Sequence, residues 1–158
     1  MKNLNQILKA GLLVGTLDIL AACLQFFINT SKEPSVVFKF IASGVFGTKA
    51  FSGGVPMIIA GLIFHYVIAL AFTFLFFTLY PKMRLFIKNN ILIGILYGAF
   101  VWLVMKFIVV PLSATPPQPF TYKGEAIAMG ILIVCIGIPL SIIAARSGRK
   151  FIKALEDD

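Results

Sequence analysis

Three ionisable side chains stand inside long apolar stretches of this 158-residue chain: Asp18, His65 and Lys106. A carboxylate and an imidazole at one depth could pass a proton, because histidine changes charge near neutral pH. A lysine close by could supply a counter-charge. The competing reading is structural, a buried polar contact that fixes which helices pack together. An Asp/His pair also raises hydrolysis. No GxSxG, HExxH or second catalytic carboxylate accompanies it, so no enzymatic activity is expected. Cys23 and Cys135 sit in apolar runs without a CxxC or Cys/His cluster. They read as small apolar residues, and neither a disulfide framework, a metal site nor a cofactor is expected.

Composition says what must hold these residues. Hydrophobic residues make up 59% of the chain and charged residues 13%. The mean hydropathy is +0.99. A soluble surface needs about a quarter of its residues charged, so these side chains face lipid. The sequence predicts an all-α polytopic membrane protein, one domain over 1–158. Four transmembrane helices are expected at roughly 7–28, 55–79, 90–110 and 126–145, each about the 20 apolar residues that a bilayer core requires. Asn29 to Pro34 should form the exit turn of span one. Tyr80-Pro81 should stop span two, and Pro111 should close span three.

Residues 35–48 are apolar but too short to span. Val36, Val37, Phe38, Phe40, Ile41 and Val45 share one broad face; Ser35, Lys39 and Ser43 share the other, with Phe46 misplaced among them. The pattern predicts an interfacial or re-entrant helix at the membrane surface. Gly47, Gly53 and Gly54 should then turn the chain back into span two.

A net charge of +8 raises nucleic-acid binding in a soluble protein. Here the basic residues gather at span ends, where anionic headgroups and the insertion machinery favour them, so the expected partner is the lipid bilayer and not nucleic acid. With the N-terminus inside, nine basic residues are cytoplasmic: Lys2, Lys9, Lys82, Arg84, Lys88, Arg146, Arg149, Lys150 and Lys153. Four are external: Lys32, Lys39, Lys49 and Lys123. The excess predicts both termini in the cytoplasm. It also disfavours a fifth span at 35–48. The loop Ser113 to Pro119 is then external and extended, and the tail Arg146 to Asp158 lies at the inner headgroups. Leu20-Ala21-Ala22-Cys23 resembles a lipobox, but Asp18 and the apolar run after Cys23 argue against cleavage there.

A carboxylate or ammonium at mid-membrane costs about 2.5–3.5 kcal/mol, so such groups turn into the bundle and find partners. A rise of 1.5 Å per residue puts Asp18 and His65 both roughly 15 Å inside their spans, and Lys106 roughly 22 Å from the inner boundary. Asp18 and His65 could meet. Lys106 could reach down to Asp18 or snorkel to the outer headgroups. Small residues mark the inward faces: Gly11, Gly15, Asp18, Ala22 and Gln25 in span one; Gly54, Gly61, His65 and Ala69 in span two; Gly94 and Gly98 in span three; Ala126, Gly130, Gly137, Ser141 and Ala144 in span four. Small residues let helix backbones approach closely. Gly11, Gly15, Gly61, Gly94, Gly98, Gly130 and Gly137 are therefore expected at helix contacts. Pro139 should free the Cys135 carbonyl and kink span four.

Several runs carry a resemblance: Gly15 to Ala22, Ile41 to Gly47, Phe64-His65 and Pro111 to Ala114. On these the chain resembles a family of small, uncharacterised bacterial four-span membrane proteins. Its second half is distantly similar to YagU-type inner-membrane proteins, through Pro81-Lys82, Pro111-Leu112 and Thr115-Pro116-Pro117. The resemblance implies the bacterial cytoplasmic membrane and a loose link to acid tolerance. It implies no reaction or ligand. The leading expectation is a structural or accessory membrane protein held by its midplane polar layer. The alternative is a small proton-linked permease or channel, homo-oligomeric because four short helices leave little room for a path.

Overall fold

The computed structural model describes residues 4–117 and 121–146. Arg149, Lys150 and Lys153 of the charge argument, with Lys2, Gln118 and Pro119, lie outside them. Among the described residues, four helices are long and apolar enough to cross a membrane: α1 (Leu4–Thr30), α3 (Gly54–Phe86), α4 (Asn90–Leu112) and α5 (Tyr122–Arg146). Between α1 and α3 lies the short α2 (Ser35–Phe46), followed by a 3₁₀ turn, Gly47–Phe51. The architecture is all-α and multi-pass.

The bundle is apolar on its outside. Leu20, Leu24, Phe74, Phe107 and Ile108 are each more than half exposed, which suits a lipid solvent and would be untenable in water. Its centre is a compact group: Val14 of α1, Phe76 of α3, Ile93, Tyr97 and Val101 of α4, and Leu140 of α5. The Phe76 and Tyr97 rings meet edge to face at 4.7 Å between centroids. The Tyr97 hydroxyl donates to the Phe72 carbonyl at 2.6 Å, which ties α4 to α3.

Two boundaries differ from the sequence expectation. The helix of span two does not stop at Tyr80-Pro81 but runs on to Phe86. Proline removes one donor and leaves the following residues able to continue. Ile87 N–H closes the helix on the Met83 carbonyl at 2.8 Å, Tyr80 donates to Asn90 Oδ1 at 3.1 Å, and Arg84 reaches the Lys88 carbonyl. Asn89 then caps α4, accepting from the N–H groups of Ile91 and Leu92 at 2.9 and 3.4 Å. Span four begins at Tyr122, so Glu125 falls in its first turn.

Pro111 and Pro139 act in a common way. Each follows a five-residue π-helical stretch, Met105–Val109 in α4 and Ile133–Gly137 in α5. A proline cannot donate to the carbonyl four residues back, and a shift to i→i−5 pairing absorbs the mismatch. Val110 N–H bonds Met105 O, and Ile138 N–H bonds Ile133 O. The kink expected at Pro139 is thus a π-bulge.

The α2 helix is docked into the bundle along α3. A β-carbon on Gly61 would fall on the Phe38 backbone, its carbonyl carbon 2.6 Å away. Gly61 is seven residues into α3, roughly 10 Å along it by the helical rise. Ser43 is fully buried, with its hydroxyl donating to the Phe40 carbonyl at 2.6 Å, while Val45 is 62% exposed. Ile41 of the apolar face lines a central cavity, so both faces of α2 supply residues to the interior. Lys39 Nζ donates to the Phe51 carbonyl at 3.4 Å, fastening α2 to the turn that follows it. Gly47 ends α2 at φ 59, ψ −150, and Gly54 opens α3 at φ 62. Side chains rarely tolerate either conformation. Gly53, expected to share the turn, has ordinary backbone angles.

Candidate functional site

The polar layer sits where the five helices converge. A partly open cavity of about 80 Å³ lies there. Asp18 of α1 and His65 of α3 line it, with Ile41 of α2 on a further side. Phe72 of α3, Val101 and Met105 of α4, and Leu132 and Ile136 of α5 complete an otherwise apolar wall. Both π-bulges touch the cavity, through Met105 and Ile136. Because Asp18 and His65 line the same cavity, the two residues lie at one level of the bundle.

The pairing is different from the expected one. His65 Nε2–H donates to the Gly15 carbonyl at 2.8 Å. That bond assigns the proton to Nε2 and leaves Nδ1 as an acceptor. The Gly15 carbonyl is reachable because the residue has no side chain; a β-carbon there would already meet Ala69 Cβ at 3.1 Å and Tyr66 Cδ1 at 3.2 Å. One turn closer to the N-terminus, Gly11 packs against Leu70 and Thr73 in the same way. Tyr66 adds a second α1–α3 link. Thr16 gives its one hydroxyl proton to the Leu12 carbonyl at 2.8 Å, so the Tyr66 hydroxyl donates to Thr16 Oγ1, also at 2.8 Å.

Asp18 takes no part in these links. It is close enough to His65 and to Cys135 of α5 for their charges to interact. Among the described residues, none forms a hydrogen bond or ion pair with its carboxyl. Asp18 and His65 therefore share a cavity with no hydrogen bond or ion pair between them.

Lys106 does not reach Asp18. It lies in the α4 π-bulge and forms an ion pair with Glu125 of α5, the two side chains 30% and 20% exposed. Of the two expected routes it takes the one toward the near end of the bundle, and stops on an acid instead of the headgroups. A half-buried carboxylate in range outcompetes a longer climb, since a charge-assisted hydrogen bond offsets part of the desolvation. Glu125 was legible only as a lone acid ahead of span four. Its place opposite Lys106 depends on how far α5 extends before Ala126.

The glycines divide. Gly94, Gly98 and Gly137 form the closest crossing of α4 and α5: a β-carbon on Gly94 would meet the Gly137 carbonyl oxygen at 2.8 Å, and one on Gly98 the Ile133 Cα at 2.5 Å. Gly11, Gly15 and Gly61 serve α3, against α1 for the first two and α2 for the third. Gly130 is the correction: a side chain there would meet nothing within 4 Å, so it marks no helix contact.

Among the described residues no group of three or more His, Cys, Asp or Glu side chains could hold a metal ion. In comparisons with known proteins, no family model, curated protein or solved structure matches the chain.

Proposed function

We propose that this multi-pass protein lies in the bacterial cytoplasmic membrane, with both termini cytoplasmic, and uses the Asp18–His65 layer for proton-linked transport. One observation carries the reading. Asp18 lines the central cavity, yet the link that holds α1 to α3 at that depth is made by His65 on the Gly15 carbonyl. A mid-membrane carboxyl that costs about 2.5–3.5 kcal/mol and forms no hydrogen bond or ion pair among the described residues implies another use. A proton can pass between it and the imidazole through one or two waters, for which a cavity of about 80 Å³ has room. The cavity is too small for a wide internal path, so a homo-oligomer is the working form. The resemblance to YagU-type proteins, with its link to acid tolerance, agrees in kind. No reaction is assigned to the chain.

Reconstituted protein should show proton flux above empty liposomes, lost in Asp18→Asn and reduced in His65→Ala. Flux equal to empty liposomes in all three would sink the reading. Reporter fusions after Arg149 and after Pro117 should read cytoplasmic and external respectively; the reverse pattern would overturn the orientation.

A second reading, a structural or accessory protein, is favoured by the His65–Gly15 bond itself. It requires that His65→Ala lower thermal stability in detergent, and an unchanged value would remove its support.

A further inference from the structure

We infer that the central cavity is a binding site for a small organic monocation with apolar substituents, such as a short alkylammonium or quaternary ammonium ion, which exchanges with a proton on Asp18. This rests on the proton-linked reading of the same layer and names its second substrate.

The argument is one of elimination by chemistry. The cavity wall presents one carboxyl and one imidazole among apolar side chains. An inorganic cation such as magnesium or calcium needs six or more oxygen ligands or retained waters, and beyond the two Asp18 oxygens the lining residues bring only apolar side chains and an imidazole. Anions are repelled by the carboxylate. A neutral solute would gain nothing from an acid that costs several kcal/mol to bury. An organic monocation matches each element: its charge pairs with Asp18, its carbons take the place of water against Ile41, Ile68 and Ile136, and Phe72 offers the aromatic neighbour that quaternary cations favour. Size sets an upper bound. A dry cavity of about 150 Å³ accommodates the six carbons of benzene, so about 80 Å³ scales to roughly three heavy atoms, and a five-atom ion such as tetramethylammonium extends into the cavity's open side.

Exchange balances one for one. The bound cation neutralises the carboxylate. An arriving proton bonds to a carboxyl oxygen, the ion pair is lost, and the cation leaves with its own charge. The titratable groups facing Asp18 are His65 from α3 and Cys135 from α5; the α2 and α4 walls contribute Ile41, Val101 and Met105, with Lys106 next in sequence but paired to Glu125. Protonation of the Asp18 carboxyl removes the cation's counter-charge, so binding weakens as pH falls.

The experiment is equilibrium binding of radiolabelled tetramethylammonium, whose charge does not titrate, to the full chain in detergent. Wild type and Asp18→Glu should bind saturably. Affinity should fall about tenfold per pH unit once the carboxyl is protonated. Asp18→Asn should weaken binding at least tenfold, as should Ile41→Trp, which fills the cavity and leaves the acid in place. If Asp18→Asn does not fold, Ile41→Trp decides. Binding unchanged in a folded variant of either kind, or displacement by sodium at equal concentration, overturns the site. Proton flux in wild type with no tetramethylammonium binding overturns it too and leaves the proton-linked reading standing. Binding lost in Asp18→Asn without proton flux upholds the site and overturns the transport reading.

Discussion

Gly61→Ala tests whether α2 is part of the bundle or merely rests on it. The new β-carbon would lie 2.6 Å from the Phe38 carbonyl carbon and 3.0 Å from Phe38 Cα, where ordinary contact begins at 3.4 Å. The obstructing atoms are backbone, so no rotamer change relieves them. The Phe38 carbonyl oxygen lies nearer still, so α2 either retreats by more than the 0.8 Å that the carbonyl carbon alone requires or detaches. Overpacking of this kind costs about 1–3 kcal/mol, and the rigidity of the obstacle puts the expected loss near the upper figure. Retreat also moves Ile41 off the cavity. The assay is unfolding in detergent together with hydrogen exchange of the α2 amides, and Gly130→Ala is the control because it meets nothing within 4 Å. Gly61→Ala should lower stability and speed exchange across Val36 to Phe46; Gly130→Ala should do neither. Wild-type stability and protection in Gly61→Ala would refute the docking.

His65→Gln should hold more stability than His65→Ala, because an amide N–H can replace Nε2–H on the Gly15 carbonyl; the difference, read by unfolding in detergent, is expected at about 0.6 kcal/mol, the average for interhelical bonds in membranes. Two equal variants would show that the bond contributes nothing. Lys106→Ala and Glu125→Ala should each destabilise, and a double-mutant cycle should return a coupling of about 1 kcal/mol. Zero coupling would show that the pair is incidental. Gly94→Ala should part α4 from α5 at a cost of about 1–3 kcal/mol in the same assay, and a neutral result would contradict the close crossing.

Legibility followed the range of the interaction. Four apolar runs, their lengths and the matching depth of Asp18 and His65 follow from composition and the helical rise, which are local. Gly11, Gly15, Gly61, Gly94, Gly98 and Gly137 were legible because a small residue repeated at helical spacing has one main use in lipid. Gly130 looked identical in sequence and proved different, since spacing does not say which helix, if any, stands opposite. The overrun past Pro81 was hidden because proline removes one bond and the closing bonds come from Arg84, Ile87 and Asn90.

The midplane layer divides the same way. Residue type and position alone determined that an acid and an imidazole lie near the centre of a multi-pass bundle, because burying them in lipid is costly wherever they point. Only the packing of α1, α3, α4 and α5 decided that His65 binds a backbone carbonyl, that Lys106 pairs with Glu125, and that Asp18 is left facing a cavity. Those choices are made between helices, by distances of a few ångström that no spacing along one chain encodes.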